Sequence, residues 1–285
     1  MASEVPIRII FFFAVFIIMA CCETIAARRQ LTVAKTGRWF NNLSLIVLSS
    51  ILVKLAFPVA ATGVAAAAAT KNWGLLNALQ LPPWETILIS VLLLDLIIYL
   101  QHLMFHAVPL LWRLHMVHHT DLDLDVTSGL RLHPFEIIIS MGIKMLAVAA
   151  LGIPVLAILI FEIILNAASM FIHGNIQLPD KLDRRLRLLL VTPDMHRVHH
   201  SVIVRETNSN FGFSLSWWDR LFGTYRAQPV AGHDKMTIGL SQFRKVEQMS
   251  LIKLLALPFT GKEGYYSIRH IGGAPEIISK HKKDQ

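Results

Sequence analysis

The words "HLMFH", "HMVHH" and "HRVHH" put His102 and His106 four residues apart, and His115, His118 and His119 at i, i+3, i+4. His196, His199 and His200 repeat the second spacing. Residues three and four apart share a helix face, so each word aims its imidazoles one way. With 13 histidines in 285 residues, a given H-x-x-H-H arises by chance at about one position in ten thousand. Two of them beside an H-x-x-x-H are not chance. A lone histidine is usually a satisfied polar side chain, but eight crowded together without ligation would leave many ring nitrogens desolvated. Metal ligation resolves this, because a neutral imidazole gives one nitrogen to the ion and hydrogen-bonds through the other. Eight exceeds what one ion takes, so the count predicts two. Imidazole suits zinc, copper, iron and nickel alike. H-E-x-x-H is absent, which removes the zinc-protease pattern, and haem would use only one or two of these side chains.

The elements that must position these residues are membrane helices. Hydrophobic residues make up 54% of the chain and charged ones 16%, with mean hydropathy +0.53, well above an ordinary soluble domain. The net charge of +8 suits loops that touch anionic lipid. No basic stretch is interleaved with aromatics, so nucleic acid is not an expected partner. Cys21 and Cys22 are adjacent inside an apolar run and offer neither a disulfide framework nor zinc spacing.

The run from Ile7 to Ala27 is expected to be a transmembrane helix and not a signal peptide, because only Arg8 precedes the apolar core whereas Arg28, Arg29, Lys35 and Arg38 follow it. The positive-inside rule places that stretch in the cytoplasm. Residues 43–69 cross back, with Pro58 and Gly63 as kinks, and a third span over 84–104 returns. Residues 135–152 and 154–172 form two apolar arms broken at Gly152-Ile153-Pro154, a hairpin that either crosses fully or is re-entrant. "DKLDRRLRLLL" (180–190) reads as an interfacial helix. The expectation is an all-α integral membrane protein of about four transmembrane helices including a helical hairpin, with a cytoplasmic histidine-rich helical cap. Its expected division is 1–83 (N-terminal spans and external loop), 84–226 (catalytic domain) and 227–285 (cytoplasmic tail).

Together with "RLHPFE", "HGN", "TPDMHRVHHS", "ETNSNFG" and "WWDRLFGTY", the three histidine boxes resemble the fatty acid hydroxylase / sterol desaturase superfamily over 84–226. The resemblance implies an O2-dependent non-haem enzyme with two iron ions that hydroxylates or desaturates an unactivated C–H of a lipid, such as a sterol or fatty acyl chain. It also implies that the eight box histidines and His173 are metal ligands, with His133 either a supporting residue or a further ligand. This sequence shows no fused cytochrome b5 domain, so the electron donor is expected to be a separate protein, of cytochrome b5 or ferredoxin type with its reductase. The expected setting is a bacterial inner membrane with the site on the cytoplasmic face, although the ending "KKDQ" resembles a dilysine retrieval signal of the endoplasmic reticulum.

Asp95, Tyr99, His102 and His106 share one stripe. A carboxylate inside a span is a functional candidate, but Asp95 sits about 10 Å from His102 along the axis, too far to ligate the same ion. Asp95 and Tyr99 are therefore expected to support the site or line the substrate slot. Asn175 and Asn210 are expected to take turn or cap roles, with contact to a metal-bound water as the alternative. Lys144 and Glu162 lie nine residues on either side of Ile153, so a hairpin brings them to one depth as an ion pair. Two rival functions remain open: a non-catalytic metal-binding or metal-transporting membrane protein, and a zinc hydrolase using the same histidines.

Overall fold

The computed structural model describes residues 4–262 and 264–268; the KKDQ ending lies outside them. The first long helices are α1 (Glu4–Ile25), α2 (Lys35–Ala56) and α3 (Ala60–Thr70), followed by a short α4 (Leu75–Leu79) and α5 (Pro83–Ala107). Next come α6 (Pro109–His119), α7 (Pro134–Leu151), α8 (Val155–His173) and α9 (Asp180–Leu186). The remainder is a cap of short helices: α10 (Pro193–His199), α11 (Val204–Thr207), α12 (Trp217–Leu221), α13 (Gly232–Lys235) and α14 (Leu251–Thr260). No strand occurs among the described residues beyond isolated bridges. The protein is an all-α membrane protein with five stretches long and apolar enough to span: α1, the α2–α4 run, α5, α7 and α8.

Prolines set the boundaries. Pro58 cannot continue α2, and Pro83 opens α5 at a position where its missing N–H costs nothing. Pro109 matters most for the site. It forces Val108 into an extended conformation (φ −96°, ψ 114°), so the helix carrying His102 and His106 ends and a second one, bearing His115, His118 and His119, starts at an angle. The α7–α8 turn depends on Gly152, whose φ of +69° disfavours any residue with a Cβ and whose added Cβ would sit 2.6 Å from Trp73 O. This turn packs against the 73–77 segment. The hairpin therefore turns at the end opposite His173, and each of its arms is long and apolar enough to span a membrane.

The second span begins earlier than residue 43. The first turns of α2 extend past the apolar layer because Arg38 and Asn42 are buried against the loop "TDLDLDVTS" (120–128). Arg38 makes a two-pronged contact with Asp121 (2.7 and 2.9 Å), reaches Asp125 at 2.6 Å and donates to Asp123 O at 2.8 Å. Asp123 accepts the backbone N–H groups of Thr32 and Val33 (2.8 and 2.9 Å). Arg131 completes the clamp, bonding Val117 O, Asn42 Oδ1 and Thr120 Oγ1. The acidic run thus fixes the loop that follows the second histidine box. Burial alone would raise the Asp121 carboxyl, but the Arg38 guanidinium beside it prevails and holds it well below the ordinary carboxylate range.

Basic residues gather at the histidine end. Arg28 pairs with Asp194 and Asp234 of the cap, and Arg184 and Arg185 are exposed on α9, although Arg187 turns inward to donate to Ala227 O at 2.7 Å. The 71–83 loop is at the other end. With Cys21 and Cys22 replaced by Ser, single cysteines at the exposed positions Lys71 and Lys245 are expected to react with an impermeant thiol reagent from opposite sides of sealed vesicles. Labelling from one side would mean an even number of crossings between them.

Candidate metal centre

Four helices converge on one point. α5 brings His102 and His106, α6 brings His115, His118 and His119, α8 ends on His173, and α10 carries His196 and His199 with His200 as its cap. All nine side chains are buried. They form two groups: His102, His106, His115, His119 and His199 in one, and His118, His173, His196 and His200 in the other. Within each, one ring nitrogen per residue lies within 4.8 Å of all the others. Nitrogens on opposite sides of an ion at about 2 Å would be ~4 Å apart, so a modest contraction closes either group on a cation. The two are neighbours, with the His119 and His200 ring centroids 4.7 Å apart.

The outward nitrogens show which way the lone pairs point. The Nδ1–H groups of His102, His173 and His199 donate to the carbonyls of Phe211 (2.8 Å), Ser169 (2.7 Å) and Ser209 (2.8 Å). His106 Nδ1 donates to Asn208 Oδ1 at 3.0 Å, and His115 Nδ1 to Glu136 Oε1 at 2.7 Å. A neutral imidazole that donates through Nδ1 presents a bare lone pair at Nε2. These Nε2 atoms face one another across 3.0 to 3.3 Å, as in His102–His115, His106–His119 and His118–His173. His199 Nε2 is buried with no partner among the described residues. Converging lone pairs need a cation between them, so the donor set fits two metal ions. Burial supports this by pushing the imidazoles of His115, His118, His119, His196, His199 and His200 well below their ordinary pKa, which keeps them neutral.

The remaining candidates lie outside both groups. His133 caps α7, accepting from Phe135 N–H while its Nε2 meets Leu255 O at 3.2 Å. It belongs to the α14 contact, and no metal group includes it. Asp95 Oδ2 accepts from Trp218 Nε1 (2.9 Å) and Leu215 N–H (3.3 Å), pinning the cap to α5. The Tyr99 hydroxyl bonds Thr224 Oγ1 at 2.8 Å and its ring stacks on Phe222. Asn175 holds the backbone of Arg29 through both ends of its amide. Asn210, in a left-handed conformation (φ +54°), ties Met195 O to the backbone of Arg226. Both asparagines tether backbone segments, as turn or cap residues do.

Residues unforeseen from the sequence hold the histidines in place. Glu136, in the first turn of α7, is buried and bonded to His115, a carboxylate–imidazole pair of the kind that orients metal ligands. Asp219 accepts the N–H groups of Phe211 and Gly212 (2.7 and 2.9 Å), fixing the carbonyl that receives His102. Glu136 had a readable signal: it is a carboxylate at the mouth of an apolar helix. Glu136→Gln is expected to weaken metal binding by about 10- to 100-fold, measured by chelator competition on the stripped full chain. Unchanged affinity would leave Glu136 a purely packing role.

A cavity of about 430 Å3 opens onto His102, His115, His118 and His173 between α5, α7 and α8, and Ile98, Phe105, Leu132, Met141, Leu165 and Phe213 form its apolar wall.

Residues 87–224 match the model of the fatty acid hydroxylase family. The chain is 27% identical over 273 residues to ornithine lipid hydroxylase OlsE of Rhizobium tropici, covering 94% of this chain and 77% of that protein. It is 31% identical over 187 residues to alkylglycerol monooxygenase of Xenopus tropicalis (64% of this chain, 40% of the other). It is 30% identical over 145 residues to cholesterol 25-hydroxylase of Rattus norvegicus (50% and 47%). The chain thus spans less than half the length of the latter two. No solved structure matches it.

Proposed function

From a chain whose residues 87–224 place it in the fatty acid hydroxylase superfamily, and which is accordingly an oxidoreductase, we propose a lipid hydroxylase that holds two iron ions on its nine clustered histidines. The observation that carries this reading is the pair of converging imidazole groups at the end of an apolar cavity within a membrane bundle. Two iron ions there would supply, with O2, an oxidant strong enough for an unactivated C–H bond. The balance is RH + O2 + 2 e− + 2 H+ → ROH + H2O, with the electrons delivered by a separate cytochrome b5- or ferredoxin-type donor. This chain's own residues do the positioning. Phe211, Ser169, Ser209, Asn208 and Glu136 fix the tautomer and tilt of five ligands. The apolar wall excludes water and holds a lipid carbon against the histidine end.

Hydroxylation is favoured over desaturation because the relatives above are named hydroxylases and monooxygenases. The basic residues at the histidine end support a cytoplasmic site, and the Rhizobium relative favours a bacterial inner membrane. The family match over 87–224 favours 84–226 as the catalytic domain between the N-terminal spans (1–83) and the tail (227–285). A metal transporter would string its ligands along a path through the spans, whereas these gather at one end.

The test is O2 consumption by the iron-loaded protein with a reductant and a membrane lipid extract, followed by mass spectrometry of the lipids. A product heavier by one oxygen is the expected result. A product lighter by two hydrogens would make the enzyme a desaturase, and hydrolysed lipid without O2 uptake would make it a hydrolase.

A further inference from the structure

The cavity has a second polar end. Its wall includes Arg8 of α1, Lys144 of α7 and Glu162 of α8. Lys144 Nζ lies 2.9 Å from Glu162 Oε1, and Arg8 Nη1 lies 2.5 Å from Glu162 Oε2. All three sit within apolar spanning helices, where ionic groups are costly and apolar residues of similar volume would join the helices as well. Nor are all their donors satisfied, although Glu4 lies near enough to Arg8 to bring a second carboxylate to the two cations. Arg8 Nε and Nη2 are buried with no hydrogen-bond partner among the described residues. Nη2 is 3.9 Å from Glu4 Oε2, beyond hydrogen-bond reach, and Glu4 is not part of the cavity wall. Between the two ends the wall carries Gln101 and Ser140, joined by a 2.8 Å bond that leaves Gln101 Oε1 unpartnered. A bare hydrocarbon occupant would leave the buried guanidinium donors unused, and an anionic oxygen would satisfy them.

We propose that Arg8, Lys144 and Glu162 form a subsite for the anionic group, carboxylate or phosphate, of the lipid whose chain is oxidised at the histidine end. This rests on the lipid-hydroxylase reading and adds to it the substrate's charge and register. Glu162 precedes His173 by eleven residues on α8, and Glu136 precedes Lys144 by eight on α7. At ~1.5 Å per residue the two ends of the cavity are about 12 to 17 Å apart. An extended chain advances ~1.25 Å per carbon, given single bonds of ~1.5 Å. The carbon presented to the histidines therefore lies roughly ten to thirteen positions from the anchored anion. The unpartnered guanidinium donors favour the anion, and Glu162 keeps the two cations from repelling when the subsite is empty.

Equilibrium binding to the full chain in neutral detergent tests this with two matched pairs: a long-chain fatty acid against its alcohol, and a lysophosphatidate against a monoacylglycerol. The anionic member of at least one pair is expected to bind about tenfold tighter, a difference of ~1.4 kcal/mol. Preference in the first pair identifies a carboxylate, and in the second a phosphate. Arg8→Gln and Lys144→Met should each cut that ratio severalfold while leaving the neutral lipid's affinity alone, and Arg8→Lys should preserve it. No preference in either pair, or equal weakening of charged and neutral lipids by the variants, would reduce the trio to a structural pin and overturn the proposal. The binding requires neither iron nor turnover, so failure of the oxygenase chemistry and failure of this subsite are read separately.

Discussion

His118→Ala and His199→Ala are each expected to abolish turnover while the protein still inserts in the membrane and extracts as a folded chain. The two residues sample the two groups. His199 sends Nδ1 to Ser209 O and leaves Nε2 facing inward, and His118 Nε2 lies 3.0 Å from His173 Nε2. Loss of a mere supporting partner costs at most about 100-fold, so removal of a ligand should exceed that. Iron content is the more direct reading. The reconstituted wild type is expected to hold two ions per chain and each variant about one. A wild type that never exceeds one ion per chain would sink the two-iron reading whatever the activities show. Alanine at either position also removes a buried polar ring from a cluster of like rings, so neither variant should lose stability in the metal-free state.

Asp121→Ala has the opposite profile, with a large effect on stability and no direct contact with the lipid cavity. It removes the two-pronged acceptor of Arg38, a guanidinium 5% exposed. Breaking one side of a buried ion pair typically costs about 3–5 kcal/mol, because the partner's charge stays buried. Thermal unfolding in detergent should show the loss, and the double variant Asp121→Ala/Arg38→Leu should recover part of it. The folded Asp121 carboxyl is held below its unfolded value. Its contribution is therefore fully present above the unfolded carboxylate range near pH 4 and fades as pH falls through the folded value. A stability that was flat on acidification, or strictly additive losses in the double variant, would dissolve the clamp.

The histidine boxes were legible because ligation demands one residue type at helical spacing, a constraint that a single sequence displays. The hairpin was legible for a similar reason: Gly152 and Pro154 mark its turn locally, and equal offsets place Lys144 beside Glu162. Glu136 was overlooked because its role depends on where His115 lies 21 residues away, across a helix break. "DLDLD" carried no readable role because its partner, Arg38, precedes it by more than 80 residues. Asp95 invited a place near the site by sharing a stripe with His102. Its real partners, Trp218 and Leu215, belong to the cap and are distant in sequence. Local chemistry was readable, whereas pairings set by tertiary closure were not.

The attachments of α1 have a consequence for how the chain is made. This helix packs on α8 and is fastened at its end by Glu23, which accepts the N–H groups of Val126 and Asn175, and by Arg28, which pairs with Asp194 and Asp234. Every one of these partners is synthesised at least 100 residues later. At about 5–20 residues per second, α8 is completed roughly seven to thirty seconds after α1. Through that interval α1 lacks its α8 contact, and Arg8 has no Glu162 to meet. Its side chains must therefore suit hydrocarbon on nearly every face, which is how the sequence "IIFFFAVFIIMA" reads. A helix made before α8 is docked only after it, so the cavity that both help to wall cannot exist until α8 has been made.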